Sequence, residues 1–201
     1  MNEDPVIQND SARLPSSFFN RDPRLVAPDL LGKILWCNNV GVLITETEAY
    51  LPFDTACHAH KGKTPRNAPM FETAGTIYVY LCYGIFNLFN VVTQEAGIPS
   101  AVLLRAGKAH HNPALIQARR KGKLDLVGPG KFGQAIAASR KMSGSTLLEG
   151  PVFITPGMTP SEILTKARVG IDYAEPEHRD ALWRYVAADF LPDAELRQCT
   201  Q

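Results

Sequence analysis

Residues 76–93 read Thr-Ile-Tyr-Val-Tyr-Leu-Cys-Tyr-Gly-Ile-Phe-Asn-Leu-Phe-Asn-Val-Val-Thr. Two runs of β-branched and aromatic residues, Thr76–Leu81 and Leu88–Thr93, flank a short connection that contains Gly84. Such runs suit a pleated, half-buried surface, so this stretch predicts a β-hairpin. Ala101–Arg105 follows as a further strand, and the three together predict an antiparallel sheet. Side chains alternate along a strand, which puts Tyr78 and Tyr80 on one face, while Tyr83 stands at the turn and should project outward. The apolar stretch 77–92 contains Gly84, Asn87 and Asn90 and is shorter than the roughly 18 residues of a spanning helix, so a soluble protein with no membrane partner is expected.

Upstream, Lys33–Cys37 and Gly41–Thr47 form a second β-rich pair around Asn38-Asn39, residues that tolerate the positive φ of a tight hairpin turn. Helix signals are fewer. Leu25–Leu31 is interrupted by Pro28, whereas Asn112-Pro113 supplies a cap and a first-turn proline for a helix through Arg120. Thr159-Pro160-Ser161-Glu162 matches a capping box and predicts a short helix running towards Ala167. With no internal repeat or long linker, the 201 residues read as one body of strands and helices at 15–201, preceded by a loose tail at 1–14. The N-terminus lacks the features of a secretory signal, and Cys37, Cys57, Cys82 and Cys199 show no CxxC pairing, which suits reduced thiols in a cytoplasm.

The net charge of +1 conceals an uneven distribution. Between Arg105 and Lys131, seven lysines and arginines face one acid, Asp125, which marks a candidate nucleic-acid surface. Acids gather after Glu149 and could form an opposite, DNA-averse face; a solvated charge run is the other reading.

Within Val42–Tyr50, strand alternation groups Ile44, Glu46, Glu48 and Tyr50 on one face, the two carboxylates about 6.5 to 7 Å apart at their Cα atoms. Burial of one would raise its pKa and suit it to general base work, while an exposed strand edge would leave both as surface charges. Cys57, His58 and His60 with Glu48 could hold zinc, but their spacing matches no structural zinc pattern, and a phosphate-facing loop beside Lys61, Lys63 and Arg66 is the alternative. Tyr83 could be a wedge between base steps or a packing residue. Tyr50 and Tyr80 could stack on an extruded base or belong to a core. Arg105, at the end of the apolar run Ala101–Leu104, needs an anionic partner, either Glu48 or a DNA phosphate.

Read together, the segments Asp29-Leu30-Leu31-Gly32-Lys33, Glu46-Thr47-Glu48-Ala49-Tyr50, Thr64-Pro65-Arg66-Asn67, Tyr78-Val79-Tyr80 with Tyr83-Gly84, Leu103-Leu104-Arg105-Ala106, Gly128-Pro129 with Lys131, and Ala167-Arg168-Val169-Gly170 resemble, in wording and order, the alkyladenine (3-methyladenine) DNA glycosylase family over roughly residues 15 to 193. The resemblance implies an α+β fold, a single mixed domain around a curved antiparallel sheet with a protruding β-hairpin. It implies a monofunctional DNA glycosylase that hydrolyses the N-glycosidic bond of alkylated or deaminated purines in base excision repair. In that scheme Glu48 deprotonates the attacking water, and Arg105 and the backbone carbonyl of Val169 help to hold the water, with Glu46 structural. Tyr50, His58 and Tyr80 correspond to base-pocket residues, Asn90 to an asparagine that disfavours the exocyclic amine of guanine, and Tyr83 to the residue that fills the vacated stack. The Tyr50-to-His58 spacing is one residue shorter than in an animal member of the family, and Thr64–Asn67 re-anchors the alignment. DNA contacts are assigned to Lys63, Thr64, Arg66 and Lys131. No metal or other cofactor is implied; the partner is double-stranded DNA carrying damaged purines, and a monomer in a bacterial cytoplasm, associated with the nucleoid, is expected. A non-catalytic nucleic-acid binding module and a metal-dependent hydrolase using Glu48, Cys57, His58 and His60 are the competing readings.

Overall fold

The structure is a computed structural model, and it describes residues 13–190. The chain forms a curled, wholly antiparallel sheet with short helices packed on it, a single mixed α+β domain. The strands are β1 (Ile34–Cys37), β2 (Val40–Tyr50), β3 (Ile77–Cys82), β4 (Phe86–Val92), β5 (Ala101–His111), β6 (Leu126–Val127), β7 (Phe153–Thr155), β8 (Ile163–Lys166) and β9 (Arg184–Ala187). Their main order is β3-β4-β5-β2-β1-β7, with β6 added to β5 and a β9–β8 pair added to the end of β2. Helices α1 (Ser16–Phe19), α2 (Pro23–Asp29), α3 (Pro113–Arg119), α4 (Pro129–Ala135) and α5 (Pro176–Arg179) are each two turns or less.

Both predicted hairpins form. At the first, Asn38 and Asn39 adopt φ of 49° and 62°, the left-handed pair that matches strand twist in a two-residue turn. At the second, β3 pairs with β4 from Ile77↔Val91 to Cys82↔Phe86, longer than the sequence suggests. Asn112 caps α3 as expected, its side chain accepting from the Leu115 N–H. Helix α2 begins earlier than Leu25, because the Asp22 carboxylate accepts from the Arg24 N–H at 2.8 Å and Pro23 fills the first helical position.

The capping box at Thr159–Glu162 does not start a helix. The Ser161 N–H and hydroxyl bind the Asp189 carboxylate at 2.9 and 2.6 Å, and Ile163–Lys166 becomes β8, paired with β9. A long-range carboxylate and an open sheet edge outcompete the local cap, and β-branched Ile163 and Thr165 suit the strand. At the N-terminus, Leu14 is buried and its N–H donates to the Ile154 carbonyl, while residues 1–12 of the expected tail lie outside the described residues.

One face of the sheet carries the main core, including Val42, Ile44, Val79, Phe89, Val91, Val102 and Leu104, closed by α2, α3 and α4. Complete burial of each such side chain contributes about 1.5–3 kcal/mol. Gly107 of β5 sits where a Cβ would lie 2.5 Å from Val42 and 2.9 Å from Phe132, so the close approach of β2 and α4 across β5 requires a residue without a side chain. The opposite face carries Tyr78, Tyr80, Asn90, Leu103, Arg105, Glu48 and Tyr50, all of which line one cavity. The segment after β2 and residues 169–173 wall that cavity from outside.

Candidate active site

Strand β2 is central rather than an edge, flanked by β5 on one side and by β1 and then β9 on the other. Pairing with β5 slips between Ile44↔Gly107 and Glu46↔Ala106, leaving Thr45 as an extra residue. Such a bulge re-aims the side chains that follow it. Ile44 therefore points into the main core with Ala49, and the Thr47 hydroxyl donates to Ala27 of α2, whereas Glu46, Glu48 and Tyr50 face the cavity side. Simple alternation had grouped Ile44 with the carboxylates; the bulge separates them.

Glu48 is 0% exposed. Its Oε2 accepts from the Tyr50 hydroxyl at 2.9 Å, and its Oε1 accepts from the Val169 N–H at 3.0 Å and lies 3.3 Å from the Arg105 guanidinium. Burial raises its pKa, and Arg105, the Val169 amide and Tyr50 oppose that rise by favouring the charge. The contact at Val169 is thus made by its N–H, a role that the sequence did not indicate, and its side chain is exposed at the cavity rim. Arg105 finds both carboxylates, its Nε donating to Glu46 at 3.0 Å. Glu46 is shared with Arg184 of β9, also at 3.0 Å, and is occupied structurally.

The cavity has a volume of about 480 Å³, within the range of small-ligand sites. Tyr78 and Tyr80 form one wall, ring centroids 5.6 Å apart, and His58 packs edge-on against Tyr80 at 4.3 Å. His58 Nδ1 is 2.9 Å from the Tyr78 hydroxyl, and desolvation together with the nearby charge of Arg66 lowers its pKa, which keeps the ring neutral at pH 7. The Asn90 amide donates to the Tyr78 carbonyl at 3.1 Å, which fixes its orientation at the cavity floor. At the mouth, Tyr83 is 86% exposed with φ of 50°, and Ile85 beside it is exposed as well.

The basic loop forms its own turn: Asn67 Oδ1 accepts from the Thr64 N–H, and the Asn67 amide donates to His58 and Gly62 carbonyls. This presents Lys63, Thr64 and Arg66 at the surface, with Arg66 over the Tyr80 ring at 5.8 Å. Lys131, on α4, is ion-paired with Asp125. Among the described residues no group of three or more His, Cys, Asp and Glu side chains converges to hold a metal, and no helix is long and apolar enough to cross a membrane. The acids do not all gather away from this region, since exposed Asp172 lies between Ile171 and Tyr173, both of which line the cavity; Asp193 and Glu195 lie outside the described residues.

Sequence reading missed the buried pair beneath the site. Arg168 and Asp54 are both fully buried and ion-paired, and the guanidinium lies over the Tyr50 ring at 4.6 Å. Arg168 stood in the Ala167–Gly170 motif, but nothing local marked Asp54 as its partner.

A family model described as Methylpurine-DNA glycosylase (MPG) matches residues 17–190. The chain is 44% identical over 182 residues to a DNA-3-methyladenine glycosylase of Arabidopsis thaliana, covering 88% of this chain and 72% of that protein. It is 45% identical over 181 residues to a protein of Nitrosococcus oceani provisionally named a 3-methyladenine DNA glycosylase, covering 88% and 90%. A protein of Methanocella arvoryzae with the same provisional name is 39% identical over 184 residues, covering 86% and 90%.

Proposed function

Since this chain belongs to the methylpurine-DNA glycosylase family, we propose that it is a monofunctional DNA glycosylase, a hydrolase that releases alkylated or deaminated purines of the 3-methyladenine type from double-stranded DNA in base excision repair. It acts as a monomer without a cofactor, on nucleoid DNA in the cytoplasm. The observation that carries this reading is a wholly buried carboxylate, Glu48, at the floor of a cavity walled by tyrosines, with three donors that favour its charge against the rise in pKa that burial imposes.

The damaged nucleotide swings out of the duplex, and its base enters between the Tyr80–His58 wall and Tyr50. Stacking on such rings is worth about 1–3 kcal/mol per base. Damaged bases pair poorly, so their extrusion costs less. Tyr83 fills the gap left in the stack. Cleavage of the bond between C1′ and the purine nitrogen leaves positive charge on the sugar, which the ionised Glu48 stabilises. Glu48 also takes a proton from the water that adds to C1′, with Arg105 and the Val169 carbonyl orienting that water. A purine made cationic by alkylation leaves readily, whereas a neutral base such as hypoxanthine must gain a proton as it departs. Asn90 acts against guanine by opposing its exocyclic amine. Lys63, Thr64, Arg66 and Lys131 contact phosphates, Lys131 exchanging its Asp125 partner for one.

Replacing Glu48 by Gln tests this. The amide cannot accept the proton, so single-turnover excision from a lesion duplex is expected to vanish while binding survives. Unchanged excision would remove Glu48 from the mechanism, and the absence of base release by the unaltered protein on every lesion duplex tried would favour a binding module instead.

A further inference from the structure

Two charged side chains beneath the cavity take no part in the proposed chemistry. Arg168 Nη1 donates to the Ala49 carbonyl at 2.9 Å and to Asp54, and Nη2 donates to Asp54 Oδ1 and the His178 carbonyl, both at 3.0 Å. The guanidinium lies between the rings of Tyr50 and Trp183, at 4.6 and 5.0 Å. Asp54 in turn accepts from the Ala56 N–H at 2.9 Å, which fixes the carboxylate in the turn after β2.

A pair of this kind is a poor device for stability alone. Desolvating both charges consumes most of their attraction, and apolar residues of similar volume are commonly as stable or more so. The Arg168 Nε is buried without a hydrogen-bond partner, a further cost that a purely structural pair would not favour.

What the pair joins is specific. Ala49 is the residue after Glu48, and Val169, whose N–H reaches Glu48, is the residue after Arg168. One side chain therefore spans the two backbones that carry the Glu48–Val169 hydrogen bond, and its flat face supports Tyr50, the second donor to Glu48. We propose that the Asp54–Arg168 pair is a positioning latch for the general base, clamping the 168–171 loop to the end of β2 so that the Val169 N–H and the Tyr50 hydroxyl stay on the Glu48 carboxylate. The inference rests on Glu48 acting as that base.

The groups facing Glu48 are Glu46 and Tyr50 on β2, Arg105 on β5, Tyr80 on β3, and Arg168 and the Val169 amide on the loop. Without the latch the Val169 N–H and the Tyr50 hydroxyl, two of the groups that favour the charge, drift from the carboxylate, while the loop and β5 still cover it. The proton then binds Glu48 more tightly, and the base is lost at a higher pH.

The test compares the unaltered protein, Arg168→Lys, and the double variant Arg168→Met with Asp54→Leu, which leaves no lone buried charge. Single-turnover release of hypoxanthine, a neutral base, is followed against pH, together with affinity for the lesion duplex. The double variant is expected to bind within about threefold of the unaltered protein and to excise about tenfold or more slowly at neutral pH. Its acid limb should move to higher pH, so that activity recovers as pH rises. Arg168→Lys keeps the charge without the fork and should fall between the two. An acid limb that does not move, whether the rate is unchanged or lowered equally at all pH, overturns the latch. If the double variant does not fold, the acid limb of Arg168→Lys decides by the same criterion. Glu48→Gln run alongside separates the two ideas: activity in that variant sinks the general base, whereas its inactivity with unmoved limbs in the Arg168 variants sinks the latch alone.

Discussion

At the scale of the residue, Glu48 concentrates a conflict between folding and chemistry. Burial raises its proton affinity above that of an ordinary glutamate, so excision should lose activity on the acid side within a range where a solvated glutamate, with a pKa of about 4.3, would still be ionised. A rate–pH profile measured under single turnover with a neutral lesion should show that displaced limb, and a limb at the solvated value would contradict it. The same shift has a sign for stability. A carboxyl whose folded pKa lies above its unfolded one contributes stability that is complete below the unfolded pKa and is lost as pH rises through the folded pKa. Glu48→Gln removes the charge and nearly keeps the shape, so its melting temperature at neutral pH should exceed that of the parent, with the gap closing in acid. A lower melting temperature for Glu48→Gln at neutral pH would mean that Arg105, Val169 and Tyr50 more than repay the burial. Glu48, Tyr80 and Tyr83 were legible in the sequence through their motifs, but Asp54 was not, because its partner lies 114 residues away.

Among the elements, the β3–β4 hairpin carries its exposed aromatic, Tyr83, in the turn at its end. Helix α4 packs against the hairpin's outer end, where a Cβ on Gly133 would lie 2.1 Å from the Asn87 carbonyl and one on Gly130 2.7 Å from the Phe86 ring, while Tyr83 and Ile85 in the turn stay exposed. Tyr83→Ala should therefore change folding stability by no more than about 0.5 kcal/mol, as for a surface position. It should weaken binding to a lesion duplex by about 1–3 kcal/mol if the ring replaces a lost stacking partner. Thermal melts paired with binding isotherms give both numbers, and equal affinity in the two proteins would rule out the wedge. The hairpins were readable because each is local, set by a turn and two flanking runs. Strand β8 was misread as a helix because the Asp189 carboxylate that claims Ser161 is supplied from just past the end of β9, 28 residues away.

Over the whole molecule, one sheet serves two purposes, a core on one face and a cavity on the other, and Gly107 lies where they are held together. Gly107→Ala would press a methyl group against Val42, the Leu43 carbonyl and Phe132. A destabilisation of about 1–3 kcal/mol is expected from such overpacking. Because β5 also carries Arg105, excision should fall along with the denaturation midpoint. A variant as stable as the parent would show that β2 and α4 can separate without cost.

The order of motifs along the chain determined the family, and strand periodicity with turn residues determined that the protein is built on antiparallel hairpins. Local chemistry was enough for both, since turns and alternation depend on neighbours in sequence. Which carboxylate is buried, where the bulge turns Glu46 and Glu48 away from Ile44, and how Asp54 meets Arg168 were decided only by tertiary structure. Burial and ion pairing depend on groups brought together across the fold, and a period of two has no means of announcing the one extra residue, Thr45, that reverses its phase.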